Sequence, residues 1–321
     1  DPHMEATKIP GDFYLVRAKA KDLDVAGGQV AGVPFIATGY NRHTAWGVTN
    51  QGADVVDIFI ENVDWQKMTY RRGEKDLPLT TRKVTIAVKG QPAQQKTLYY
   101  AGRRPLLKDG FPDLKKDVSI DWTGFYGKGH FAGFLALNRA KSHAEFTAAT
   151  DRIYMSPQNM VYADVDGNIA YRTTGTLVKR MAGSGNYPQP VQVRATNWEG
   201  LIEPDMNPAA LNPSAGFLAS ANNRVVRNFP YEMNATFAPR FRYERIAQML
   251  RNGDGSDIKS SMQMQSDTRS VLALGMIPII KRLVQVPADS LAEKAFNRVI
   301  NWDGDIRPEL PEPSIYNTWL M

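Results

Sequence analysis

Residues 35–61, FIATGYNRHTAWGVTNQGADVVDIFIE, restrict the fold more than any other stretch of the chain. Phe35, Ile36 and Ala37 form a short apolar run, Gly39 permits a turn, and Trp46, Gly47, Val48 and Thr49 resume an extended pattern. After Gly52, the residues Val56, Ile58 and Ile60 alternate with Asp57, Phe59 and Glu61, the two-residue period of a strand with one buried face. The stretch predicts two buried strands joined by a Gly-flanked polar elbow. Strands on both sides leave such a loop little freedom, so its backbone N–H groups are held rigidly and suit an oxyanion.

At 321 residues and 43% hydrophobic, the chain is long enough for one large domain or two ordinary ones. Its net charge of +6 comes from 39 basic and 33 acidic residues, with basic pairs scattered at Arg71-Arg72, Arg103-Arg104 and Lys115-Lys116. Nucleic-acid binders cluster such charges on one helix or arm, so no nucleic-acid partner is expected. The absence of cysteine excludes a disulfide framework, a thiolate metal site and a cysteine nucleophile within this stretch. Residues 271–280 form the longest apolar run, ten residues interrupted by Gly275 and Pro278, too short to span a bilayer. The start, DPHME, has neither the basic residues nor the apolar block of a signal peptide. His43, His130 and His143 lack metal-ligand spacing and receive no role.

Residues 13–61 are strand-rich, and 64–121 loosen into short strands, among them 84–88 and 97–100, that predict a peripheral sheet. Ser142 and Glu145 make a capping box before a helix whose inward face carries Phe146, Ala149 and Ile153. Residues 160–173 predict a hairpin turning at Asp166-Gly167, and 181–216 a long irregular crossing. Helices are expected over 242–250, over 261–284 with an interruption near Gly275 and Pro278, and over 288–300, before a turn at Trp302-Asp303-Gly304-Asp305. Residues 1–240 are thus mainly β with insertions and 241–321 mainly helical. Strands first and helices later suit a layered α+β body.

The pattern G-x-P-F-x-x-x-G-x-N-x-x-x-A-W-G-x-T-N-x-G-A-D-x-x-D, running from Gly32 to Asp57, resembles the signature of the penicillin acylase family. Further matches follow in the family's order: Asp1-Pro2-His3, Tyr162-Ala163-Asp164 with Gly167-Asn168-Ile169, Ala221-Asn222-Asn223-Arg224-Val225, and Arg242-Tyr243-Glu244-Arg245-Ile246. These are amidohydrolases of the N-terminal-nucleophile (Ntn) class. The resemblance implies an αββα sandwich, here partial, with a helical C-terminal part. It also implies a precursor that cuts itself to expose a Ser, whose own α-amino group serves as base while the hydroxyl attacks the amide carbonyl. Because the family's Asp-Pro-His lies just downstream of that Ser, the nucleophile is expected upstream of Asp1. This chain is then an internal piece of the catalytic β segment, inactive alone, with an α chain from the same precursor as partner. A periplasmic or secreted bacterial location is implied by the resemblance only.

By the same resemblance, the backbone N–H of Asn50 and the side-chain amide of Asn222 are oxyanion donors, Arg242 orients Asn222, and His3 lies near the nucleophile. The acyl pocket maps to Met4, Thr38, Val48, Leu137 and Gln158, a set more apolar than aromatic that favours an aliphatic or mixed acyl chain. No cofactor is expected for the chemistry. Asp54, Val56 and Asp57 match part of the family's structural calcium site, whose oxygen ligands suit a hard cation. The family completes that site with a ligand from the other subunit and an acidic residue after the catalytic asparagine, near which this chain carries Glu232 and Met233. The expected activity is removal of a hydrophobic acyl group from an amine, of the β-lactam side-chain or N-acyl-homoserine lactone type. The alternative is a non-catalytic ligand-binding protein on the same fold.

Overall fold

A computed structural model of the chain describes residues 11, 13–108, 116–127, 129–155, 157–182, 185–194, 197–233, 236–253 and 255–320. The first strands are β1 (Phe13–Ala20), β2 (Leu23–Val30), β3 (Thr38–Tyr40) and β4 (Thr44–Asn50). Next come β5 (Val56–Ile60), β6 (Val63–Asp64), β7 (Thr69–Arg72), β8 (Lys75–Pro78), β9 (Thr80–Ile86), β10 (Gln94–Ala101), β11 (Arg104–Leu107) and β12 (Val118–Trp122). Helices α1 (His130–Leu137) and α2 (His143–Thr150) precede β13 (Gln158–Asp164), β14 (Ile169–Thr173), β15 (Leu177–Arg180), β16 (Gln189–Pro190), β17 (Trp198–Ile202) and β18 (Ala209–Leu211). The remainder is helical: α3 (Phe241–Arg251), α4 (Ile258–Gln265), α5 (Val271–Leu283), α6 (Leu291–Ile300) and α7 (Glu312–Leu320). The chain divides into a strand-rich unit, Pro2–Pro213 with Val226–Phe237, and a helical unit, Ser214–Val225 with Ala238–Met321.

The strand-rich unit is organised on a seven-stranded antiparallel sheet in the order β1-β2-β3-β4-β13-β14-β18. The register pairs Trp46 with Tyr162, Val48 with Met160, and Tyr162 with Ala170, so these side chains share one face. That face packs against Phe134 and Leu137 of α1 and Phe146 and Ala149 of α2 to form the main core. Gly27 and Gly39 lie opposite each other between β2 and β3, where a Cβ on either would fall 2.1 Å from a backbone oxygen of the other strand. Only residues without a side chain allow that approach.

Phe35, Ile36 and Ala37 are buried as expected, yet they precede β3 instead of forming it. Ile36 has its backbone N–H and C=O satisfied by the side-chain amide of Asn138, each at 2.8 Å, so a side chain replaces a strand partner. A second sheet has the order β16-β5-β12-β11-β10-β9. Its β9–β10 end is an exposed ribbon, in keeping with the peripheral sheet expected there.

In β5 the buried face is the one carrying charge. Phe59 is fully buried, Asp57 and Glu61 are 1% and 4% exposed, and Val56 is 39% exposed. The polar residues face inward because each carboxylate meets an arginine: Arg180 at Asp57, and Arg72 at Glu61. The crossing at 181–216 contains β16, β17 and β18, each recruited by a partner strand that pairing supplies from elsewhere in the chain.

In the helical unit, the expected break at Gly275 and Pro278 lies elsewhere. Both residues sit inside α5, and the interruption falls between α4 and α5. There Ser270 N–H donates to Gly304 O at 2.7 Å and Ile306 N–H to Thr268 O at 3.2 Å, a short antiparallel pairing incompatible with helix. Helix α5 then starts afresh with Ser270 as its N-cap. Ala273, Ile280, Val299, Trp302 and Tyr316 form this unit's own core.

Candidate active site

The elbow that begins at Asn50, the last residue of β4, is held from several sides. The β4–β13 register places Asn50 opposite Gln158, whose Nε2 donates to Asn50 Oδ1 at 3.0 Å. Asn159 Nδ2 donates to Asn50 O at 3.2 Å and to Thr49 Oγ1 at 3.1 Å. Its Oδ1 accepts from the Tyr171 hydroxyl at 2.5 Å, and that hydroxyl also bonds Thr173 Oγ1 at 2.8 Å. Asn159, Tyr171 and Thr173 are buried, and burial pushes the Tyr171 phenol above its ordinary range. Thr49, Asn159, Tyr171 and Thr173 fall on the sheet face opposite the helices, by the alternation of the paired strands. A buried polar network behind the elbow is therefore part of the sheet. Its signal in the sequence is polar residues at alternate positions of an otherwise apolar hairpin, and sequence reasoning did not single out Asn159 or Tyr171.

Beyond Asn50 the chain turns sharply. Gln51 N–H donates to Pro157 O at 3.1 Å, and its buried side chain accepts from Ala53 N–H at 2.7 Å while donating to Met233 Sδ at 3.0 Å. Asp54 N–H donates to Met233 O at 3.2 Å. Residues 51–54 are thus fastened to the segment around Met233.

In the helical unit, Asn222 and Arg242 meet. Arg242 Nη2 donates to Asn222 Oδ1 at 3.0 Å. Guanidinium has only donors, so the amide must present its oxygen to Arg242, and its NH2 group is turned the other way. Asn222 adopts a left-handed backbone with φ of +63°, unusual for a residue with a side chain, and its carbonyl accepts from Ala238 N–H at 2.8 Å. Arg242 stands in the first turn of α3, next to Phe241. A strained backbone with its side-chain amide oriented by a cation is an arrangement for donating hydrogen bonds in a fixed direction.

Asp54 and Asp57 also lie together, around the guanidinium of Arg180. Arg180 Nη2 donates to Asp57 Oδ1 at 2.7 Å and Nε to Oδ2 at 3.0 Å, and Asp57 Oδ2 further accepts from the Trp198 indole. Val56 N–H donates to Asp54 Oδ1 at 3.1 Å. Among the described residues, no group of three or more His, Cys, Asp or Glu side chains is placed to hold a metal. Sequence reasoning missed Arg180 and Trp198, which sit 123 and 141 positions from Asp57.

The expected pocket residues do not form one surface. Leu137, at the end of α1, is sealed in the core between that helix and the sheet. Val48 packs on the edge of the same core, whereas Thr38 points to the opposite sheet face, its hydroxyl donating to Trp46 O at 3.3 Å. Gln158 is engaged with Asn50. His3 and Met4 lie outside the described residues. Among the described residues, no helix is long and apolar enough to cross a membrane.

Comparison with known proteins agrees with this architecture. A solved structure of the thermostable penicillin G acylase from Alcaligenes faecalis superposes with a TM-score of 0.81 at 23% identity, covering 97% of this chain and 58% of that one. The fold is accordingly the α+β fold of an Ntn hydrolase. The acyl-homoserine lactone acylase QuiP of Pseudomonas fluorescens is 27% identical over 100% of this chain and 41% of its own length. Penicillin acylase 2 proenzyme of Pseudomonas sp. is 25% identical over 99% and 41%, and penicillin G acylase of Escherichia coli 29% over 69% and 26%. The chain thus spans about two fifths or less of the length of these curated relatives. The penicillin amidase family model matches residues 1–321, and this chain belongs to that family.

Proposed function

We propose that these residues carry the oxyanion-stabilising part of an amidohydrolase that removes a hydrophobic acyl group from an amine. The observation that carries this reading is the Arg242–Asn222 pair, which turns the Asn222 NH2 group away from the guanidinium as a directed donor. The rigid elbow at Asn50 supports it from the strand-rich unit.

In the proposed reaction a Ser at the start of the processed β chain attacks the amide carbonyl, and its α-amino group accepts the hydroxyl proton. Negative charge develops on the carbonyl oxygen; the Asn50 N–H of the strand-rich unit and Asn222 Nδ2 of the helical unit are each proposed as a donor of the kind that stabilises it. Collapse expels the amine, which takes the proton, and leaves an acyl-enzyme. Water then attacks the ester along the reverse route and releases the carboxylic acid. The α chain of the same precursor completes the acyl pocket. The relatives named as acyl-homoserine lactone acylases and penicillin acylases support the substrate class, and one named as a proenzyme supports processing. An extracytoplasmic location belongs to the same reading and is checked by cell fractionation.

The test uses the full-length expressed protein. N-terminal sequencing of the β chain is expected to find Ser a short way upstream of Asp1. Asn222→Ala is expected to process and fold but to lose about 10²–10³-fold in kcat on acylated homoserine lactones or penicillins. An uncut precursor, or an unchanged kcat in the variant, overturns the reading.

A further inference from the structure

Asp54 and Asp57 already have a cation, and it belongs to the chain. The Arg180 and Asp57 side chains are 2% and 1% exposed and joined by two parallel hydrogen bonds, at 2.7 and 3.0 Å. Arg180 Nη2 also donates to Asp54 O at 3.2 Å and lies 3.8 Å from Asp54 Oδ2. The Trp198 indole supplies a further donor to Asp57 Oδ2. Two neighbouring strands deliver these groups together, because β15 and β17 pair Arg180 with Trp198 at a register shift.

A calcium ion requires six to eight oxygen ligands at about 2.3–2.6 Å. Here both oxygens of Asp57 accept from N–H groups, whose hydrogens would face a metal with the wrong sign of charge. The space is closed as well. Gly185, at φ of +72°, passes so near that a Cβ there would lie 2.1 Å from Asp57 Oδ1, 2.9 Å from Arg180 Nη2 and 3.0 Å from Asp54 Oδ2. Nearby, Met233 contributes a buried thioether already hydrogen-bonded to Gln51, a soft group that does not suit calcium.

We infer that Arg180 replaces calcium in this protein: its guanidinium cross-links the loop before β5 to β15, and the site is independent of divalent cations. This inference is separate from the catalytic reading, since it concerns stability and holds with or without turnover.

The full-length protein, purified without added metal, tests it. Calcium content by atomic emission is expected to be far below one per molecule. EDTA or millimolar CaCl2 is expected to leave Tm unchanged within about 1 °C, because an ion that bound only the native state would raise it. Arg180→Met is expected to lower Tm by roughly 5 °C or more, having stranded a buried carboxylate. Arg180→Lys, which keeps one charge but loses the fork, is expected to fold and fall in between. Stoichiometric calcium in the purified protein, a drop in Tm on chelation, or an Arg180→Lys variant as stable as wild type would each overturn the inference.

Discussion

Asn159 shows how much one buried side chain can organise. Its amide uses Nδ2 on Thr49 and Asn50 and Oδ1 on Tyr171, so a single residue joins the end of β4 to β14. Asn159→Ala would leave buried partners unsatisfied, a cost of about 2–4 kcal/mol, to be read from urea unfolding. Asn159→Asp keeps the acceptor but loses both donors, and is expected to destabilise as well. Stability within about 0.5 kcal/mol of wild type in Asn159→Ala would refute the role. Of the residues matched by resemblance, Asn50 with Gln158 and Asn222 with Arg242 came together as hydrogen-bonded pairs. Asp54 and Asp57 also came together, but around an arginine whose place in the sequence carries no hint of them. The charged face of β5 was illegible for the same reason. Alternation reveals that a strand has two faces, whereas the arginines that make the polar one the inner face arrive from distant strands.

Helix α1 illustrates the same division among elements. No capping box announces it: its N-cap is Gly129, without a side-chain hydrogen bond, and its mean character is apolar throughout. The helix forms because Phe134 and Leu137 complete the core under β4 and β13. Its first residue, His130, accepts from Met155 N–H through Nδ1 at 3.2 Å, and burial depresses its pKa below the ordinary histidine range. A depressed histidine favours the neutral form in the folded state. Its contribution is therefore complete above about pH 6.5 and lost as pH falls through the lower folded value. The stability of wild type is expected to decline over that window by up to one proton's worth of slope more than that of His130→Gln, measured by urea unfolding at pH 5, 6 and 7.5. Parallel curves for the two proteins would dismiss the coupling. By contrast, α2 was legible, since Ser142 accepts from Glu145 N–H at 3.3 Å as its box predicts, although the Glu145 carboxylate reaches Lys141 N–H instead of Ser142. The break between α4 and α5 was not legible, because the pairing with residues 304–306 that causes it is long-range.

At the scale of the whole molecule, the seven-stranded sheet is assembled from distant pieces. Asn50 pairs with Gln158 across 108 positions, and Ala170 with Leu211 across the β16–β17 crossing. Such pairings close long loops before contacts reward them, so refolding after dilution from urea is expected to take longer than about a millisecond and to show more than one phase. With 20 prolines, a slow phase of tens of seconds that prolyl isomerase accelerates is expected too. A single submillisecond phase in stopped-flow fluorescence would contradict this account. The ordered blocks of residues, from the 35–61 elbow to Arg242, were enough to determine the family and the α+β class, because glycines, caps and two-residue alternation act over a few neighbours. Only the tertiary structure decided which face of β5 is buried, which amide holds Asn50, and which cation Asp57 meets. Those outcomes depend on groups brought together by strand pairing, and electrostatics and desolvation act through space, whatever the separation along the chain.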